Sequence, residues 1–261
     1  MPLVNGAALA WRCCVGKRRR QDARRTHNDA VRDEQLRDDR GDVPAATYRS
    51  LPHPEPHRGV VLVIGVVATI AFVVLRFAVA LQGHSPLPVD IWWHDLMVAT
   101  LTDAGIVVAW VPAIVGGTIG VIVIGVVLVA LFLRQRRRWD AATLALAIAA
   151  VVAIGAPMAA IIARVRPEDS LAESVATSFP SGHTAVATTL AVTLGLLLRR
   201  WYVWVIGVVW VLVMMWSRTY LHAHWLSDVA AGMLEGVAVA TLVWSAMHAA
   251  RVRRALSSSD S

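Results

Sequence analysis

From Val60 onward, long apolar runs alternate with short polar connections. A helix needs about 20 apolar residues to cross a hydrocarbon core roughly 30 Å thick. Six runs qualify, at 60–81, 106–133, 141–163, 183–198, 201–216 and 226–248. The second is longer than one crossing needs and contains Pro112 and Gly116-Gly117, so it is expected to tilt or kink. The fourth and fifth are short, which leaves their ends loosely defined. The pattern predicts an all-α, polytopic membrane helical bundle of six transmembrane helices over residues 59–250, with 251–261 as a short cytoplasmic tail.

Residues 1–58 read differently. They are polar, basic and punctuated by proline, with no apolar periodicity. Such a segment cannot bury enough surface to offset its chain entropy, so a disordered basic cytoplasmic tail is expected. The apolar stretch Val4–Trp11 precedes the basic block and is too short for a secretory signal.

Composition changes the picture only by strengthening it. With 57% hydrophobic and 16% charged residues among 261, the chain lies far from soluble averages. Its net charge of +7 does not describe a nucleic-acid surface, because 12 of the 25 Lys+Arg precede Val60 and most others sit in clusters between apolar runs. Arg134, Arg136, Arg137 and Arg138, then Arg199-Arg200, then Arg251, Arg253 and Arg254 all fall on one side of a six-span bundle. The positive-inside rule makes that side the cytoplasm. The expected location is the cytoplasmic membrane, with both termini inside. Adjacent Cys13-Cys14 offer no disulfide framework.

The arginines left over fall on the other side. Arg164, Arg166 and Arg218 lie there with His183, His224 and Asp228. Two imidazoles, a carboxylate and several guanidiniums can break a phosphate ester without a metal. His224 and Asp228 are four apart at the start of a span, so one helix face carries both, and the carboxylate can orient the ring. Taken alone, the pair equally fits a helix-end cap. Pro180-Ser181-Gly182-His183 enters the fourth span, where Ser181 suits an N-cap, Gly182 lets backbone approach a ligand, and free amides attract phosphate. Arg166 and Arg218 offer planar donors for phosphate oxygens, or snorkel to headgroups. Glu235 lies within the sixth span on a face shared with Asp228, and Arg76 is a candidate partner. Gly116–Gly120 and Gly232–Gly236 read as helix contacts. His183, His222 and His224 make a weak metal set, so no metal and no cofactor are expected.

Together, Arg166-Pro167, Pro180-Ser181-Gly182-His183 and Ser217-Arg218 followed by His224 and Asp228 resemble the tripartite signature of the type 2 phosphatidic acid phosphatase superfamily, which also contains the vanadium haloperoxidases. The resemblance covers roughly residues 60–250. It implies that His224 forms a phosphohistidine, His183 protonates the leaving alcohol and Asp228 orients the nucleophile. Arg166, Ser181, Gly182 and Arg218 would hold phosphoryl oxygens. One position departs: the family usually has lysine seven residues before the arginine matching Arg166, and Ala159 stands there. Arg164 is expected to replace that cation. The implied activity is hydrolysis of a lipid phosphomonoester or diphosphate at the outer face, on phosphatidic acid, phosphatidylglycerol phosphate or a polyprenyl diphosphate. The alternative is a weakly active or non-catalytic lipid-phosphate binding or transport protein on the same scaffold. The partners implied are the lipid phosphate and the bilayer, with no nucleic acid; oligomeric state is not specified.

Overall fold

The computed structural model describes residues 58–172 and 177–258, so the basic segment up to residue 57 lies outside the described residues. What is described is almost wholly helical: α1 (Arg58–Leu81), α2 (Pro88–Ala99), α3 (Asp103–Val115), α4 (Thr118–Arg134), α5 (Arg138–Ile162), α6 (Gly182–Leu198), α7 (Trp201–Tyr220) and α8 (Leu226–Ser257). By length and composition α1, α5, α7 and α8 can each cross a membrane. The run expected over 106–133 is a bent pair: α3 and α4 meet at 47° across Gly116-Gly117, just after Pro112 removes a helix donor. α6, at 17 residues, is shorter than a full crossing.

The outer faces of these helices are apolar. On α1, Val60, Val63, Val67, Ile70, Val74 and Phe77 are all more than half exposed, and their 3–4 spacing forms one stripe along the helix. In water such a patch would drive aggregation. In lipid it is the surface of a membrane bundle.

α8 is the hub, packed against α6 and α1 and touching α5 and α7. Small residues permit this. A Cβ on Gly232 would lie 2.5 Å from the Ser181 carbonyl, and one on Gly236 would lie 2.6 Å from the Ala185 carbonyl. The Gly232–Gly236 pair is therefore a packing device that brings α8 against the start of α6. α8 also runs on to Ser257, so Arg251, Arg253 and Arg254 occupy its last turns and complement its dipole.

The sequence pattern does not predict α2. Twelve residues are too few to cross a membrane, and the helix is held by its own cap: Asp90 Oδ2 accepts the Leu87 N–H at 2.9 Å, with Pro88 in the first turn. Its place beside α7 and α8 brings Asp90 into the interior.

Candidate active site

The segments bearing the candidate residues meet at one end of the bundle, opposite the Arg134–Arg138 and Arg199-Arg200 turns. Backbone bonds stitch them together. Ser178 N–H donates to the Arg164 carbonyl at 2.8 Å, Ser181 N–H to the Asp228 carbonyl at 3.1 Å, and His224 N–H to the Arg218 carbonyl at 3.3 Å. The loop from α5 to α6 doubles back through an antiparallel bridge between Val165 and Thr177.

His224 lies in the turn between α7 and α8 and is 5% exposed. Its Nδ1 is 2.8 Å from the Ser178 carbonyl and 3.8 Å from Asp228 Oδ2. A carbonyl only accepts, so Nδ1 carries the proton and Nε2 the lone pair. The tautomer expected from the His224–Asp228 spacing is thus set by a backbone oxygen, and no residue type in the sequence signals that. Burial holds the His224 pKa below the usual histidine range; Asp228 opposes this, and the Arg166 and Arg218 cations add to it. The ring is neutral, with Nε2 3.4 Å from Arg166 Nη1.

Asp228 is buried and bonded twice. Oδ2 accepts the Trp225 N–H at 2.9 Å, capping α8, and Oδ1 accepts from Arg164 Nη1. Arg164 corrects the expectation that it contacts phosphate. It is fully buried, and its five N–H groups meet five acceptors: Nε the His84 carbonyl, Nη1 Ser227 Oγ and Asp228 Oδ1, Nη2 the Ser85 carbonyl and Asp90 Oδ2. No donor remains for a phosphate. Arg164 instead bridges two buried carboxylates behind the site. Asp90, which the sequence did not single out, completes this cluster by accepting Ser227 N–H and Oγ–H, both at 2.7 Å. Its only local signal is a capping position after Pro88.

On the open side, Arg166, Gly182, His183 and His224 line one cavity of about 920 Å³. Arg166 also donates to the Ala223 carbonyl, which fixes its guanidinium beside His224. Ser181 is the N-cap residue of α6, yet its side chain makes no capping bond; its hydroxyl accepts from Thr184 at 3.2 Å. The start of α6 lies at the cavity wall, and a helix N-terminus attracts anions. A Cβ on Gly182 would meet nothing within 4 Å, so the space there suits a ligand. Arg218 is 1% exposed and close enough to His224 to affect its charge.

Beyond these groups the cavity is lined by aliphatic side chains of α4, α5 and α6 and reaches Leu133. From Val121 to Leu133 it follows about 18 Å of α4. Glu235 lies off this path. It is 3% exposed, both carboxylate oxygens lack hydrogen-bond partners, and Oε1 faces Gly155 of α5. Among the described residues no ion pair joins it to Arg76, so that expected pairing is not formed. His222 turns away from His224 toward Asp169 and His94, so His183, His222 and His224 do not form one ligand set.

Comparison with known proteins bears on the fold and on the region that carries these segments. The model of the PAP2 superfamily matches residues 140–251. An undecaprenyl-diphosphatase of Sulfolobus acidocaldarius is 42% identical over 59 residues, covering 23% of this chain and 28% of that protein. The crystal structure of a transmembrane PAP2-type phosphatidylglycerolphosphate phosphatase from Bacillus subtilis superposes with a TM-score of 0.61 at 23% identity, covering 69% of this chain and 94% of that one. LpxE of Aquifex aeolicus gives a TM-score of 0.53 at 22% identity, over 59% and 93%. Three arginine- and histidine-bearing segments gather at one end of a membrane helical fold shared with membrane phosphatases, and the PAP2 superfamily match over residues 140–251 spans all three of them.

Proposed function

We propose that the protein hydrolyses a lipid phosphomonoester or diphosphate through a phosphohistidine on His224, at the outer face of the cytoplasmic membrane. The observation that carries this reading is the His224 tautomer: Ser178 holds the Nδ1 proton, and the Nε2 lone pair faces the cavity beside Arg166. Nε2 attacks phosphorus, the P–O bond to the leaving group breaks, and His183 gives that oxygen a proton. Water then attacks the phosphohistidine, returning the proton to His183 and phosphate to solvent. Arg166, Arg218 and the first amides of α6, from Gly182 on beyond Ser181, stabilise the charge that builds on the phosphoryl oxygens. Asp228, anchored by Arg164, keeps a negative charge 3.8 Å behind the ring that becomes cationic. No step requires a cofactor.

The aliphatic cavity supports an amphiphilic substrate, phosphate at the histidines and chain between α4, α5 and α6. Polyprenyl diphosphate, phosphatidic acid and phosphatidylglycerol phosphate all have this form. The arginine-rich turns at the far end of the bundle favour an outward-facing site by the positive-inside rule.

Detergent-solubilised protein should release phosphate from at least one of these lipids, and His224→Ala should lower the rate by about 10³-fold or more. Ala159 in place of the family lysine, with the unpartnered Glu235, motivates the rival reading of a lipid-phosphate binding or transport protein. Tight binding without phosphate release from any of the three lipids would establish that rival instead.

A further inference from the structure

We propose that His94, Asp169 and His222 form a second site, distinct from the phosphatase centre, that binds one zinc ion. The three residues come from three separate segments: α2, the α5–α6 loop and the α7–α8 turn. Their ligand atoms all lie within 4.8 Å of one another. Asp169 Oδ2 is 2.7 Å from His222 Nδ1 and 3.3 Å from His94 Nε2. In a tetrahedral zinc site with bonds of about 2.0–2.2 Å, neighbouring ligand atoms stand roughly 3.3–3.5 Å apart. Of the three pairs, Asp169–His94 already matches, Asp169–His222 needs to open by less than about 1 Å, and His94–His222 lies within 4.8 Å.

The donor set decides the metal. Two imidazoles and one carboxylate suit zinc and leave a fourth position for water, whereas magnesium and calcium favour oxygen ligands. The His222 side chain is 3% exposed, and its backbone is left-handed at φ 52°, a conformation that costs a non-glycine residue energy. That backbone turn is what aims the ring at Asp169. Leu171 N–H donating to the Leu221 carbonyl at 3.0 Å holds the loop against the same turn, and the Trp225 ring packs 5.4 Å from His94.

An ion here would tie α2 and the loop to the turn that carries His224 two residues further on. Its role is to brace that turn, and the chemistry proposed for His224 and His183 does not pass through it. Zinc removal should therefore lower thermal stability while phosphate release continues.

The test uses the full chain in detergent, stripped with EDTA and desalted. Cobalt(II) should give visible d–d bands of a tetracoordinate site, saturating near one equivalent and displaced by zinc, without the sulfur charge-transfer bands that Cys13-Cys14 would produce. Zinc should raise the Tm by several degrees. His94→Ala and Asp169→Asn, both at partly exposed positions, should each weaken zinc binding about tenfold or more and abolish the Tm rise. No cobalt spectrum in the wild type would overturn the site, as would a spectrum unchanged in both variants. Phosphate release by the stripped protein is scored separately, so failure of the zinc site leaves the phosphatase reading standing, and the reverse also holds.

Discussion

His183 and His224 line the same cavity, and the Ser178 carbonyl sets the tautomer of His224. Their roles therefore separate by substrate. If His183 protonates the leaving oxygen, His183→Ala should lose about 10²–10⁴-fold on a lipid phosphate and far less on an aryl phosphate whose phenol leaves unaided. Comparing kcat/KM for the two substrates checks this, and equal losses would remove the general-acid assignment. Arg164 calls for a different measurement. Removing it strands Asp90 and Asp228 as uncompensated buried carboxylates, which is expected to cost about 3–5 kcal/mol. Arg164→Met should lower the thermal midpoint sharply, and adding Asp90→Asn should return part of the loss, because one stranded charge is then neutral. Simple additivity of the two changes would show that Arg164 does not bridge the pair. Weaker vanadate binding by folded Arg164→Met, with no loss of stability, would return Arg164 to the phosphate.

Helix boundaries decide what the cavity can hold. α4 leaves α3 at 47°, and the aliphatic space reaching Leu133 lies between α4, α5 and α6. Ala149 lines this space from an exposed position on α5, so a larger side chain there fills the cavity without disturbing the core. Ala149→Phe should raise KM by about tenfold for long-chain lipid phosphates, a change within the range of pocket-filling effects, and leave short-chain analogues nearly unchanged. Equal changes for both chain lengths would mean that the chain binds elsewhere.

For the molecule as a whole, the proposed orientation places the α5–α6 loop outside and the α4–α5 turn inside. Once Cys13 and Cys14 are replaced by serine, a cysteine introduced by Glu168→Cys should react with an impermeant thiol reagent in intact cells, whereas one introduced by Gln135→Cys should react only after lysis. Both positions are exposed, so access depends on the membrane alone. The reverse pattern would turn the site toward the cytoplasm.

Much of this protein can be read without coordinates, because apolar length, proline and glycine breaks and the identity of chemical groups are local properties. The six apolar runs are helical, the break at Gly116-Gly117 stands where the composition places it, and Gly232–Gly236 is a contact face. The gathering of Arg166, Gly182, His183 and His224 at one cavity follows from the order of the runs. Partner choice is another matter, since hydrogen bonds depend on through-space distances that no spacing encodes. Arg164, two residues from Arg166, could share its direction on an extended segment, yet the tertiary fold spends all five of its donors on Asp90, Ser227, Asp228 and two carbonyls. Asp90 is remote in sequence and enters only because α2 packs beside α8. The i,i+4 rule put Asp228 near His224, but 3.8 Å is too long for a hydrogen bond, and the Ser178 carbonyl at 2.8 Å takes the proton. The residue types and their order thus specified the membrane bundle and its chemical inventory. Tertiary packing alone decided which acceptor each donor reached, because each buried donor binds whatever oxygen the fold brings within about 3 Å of it.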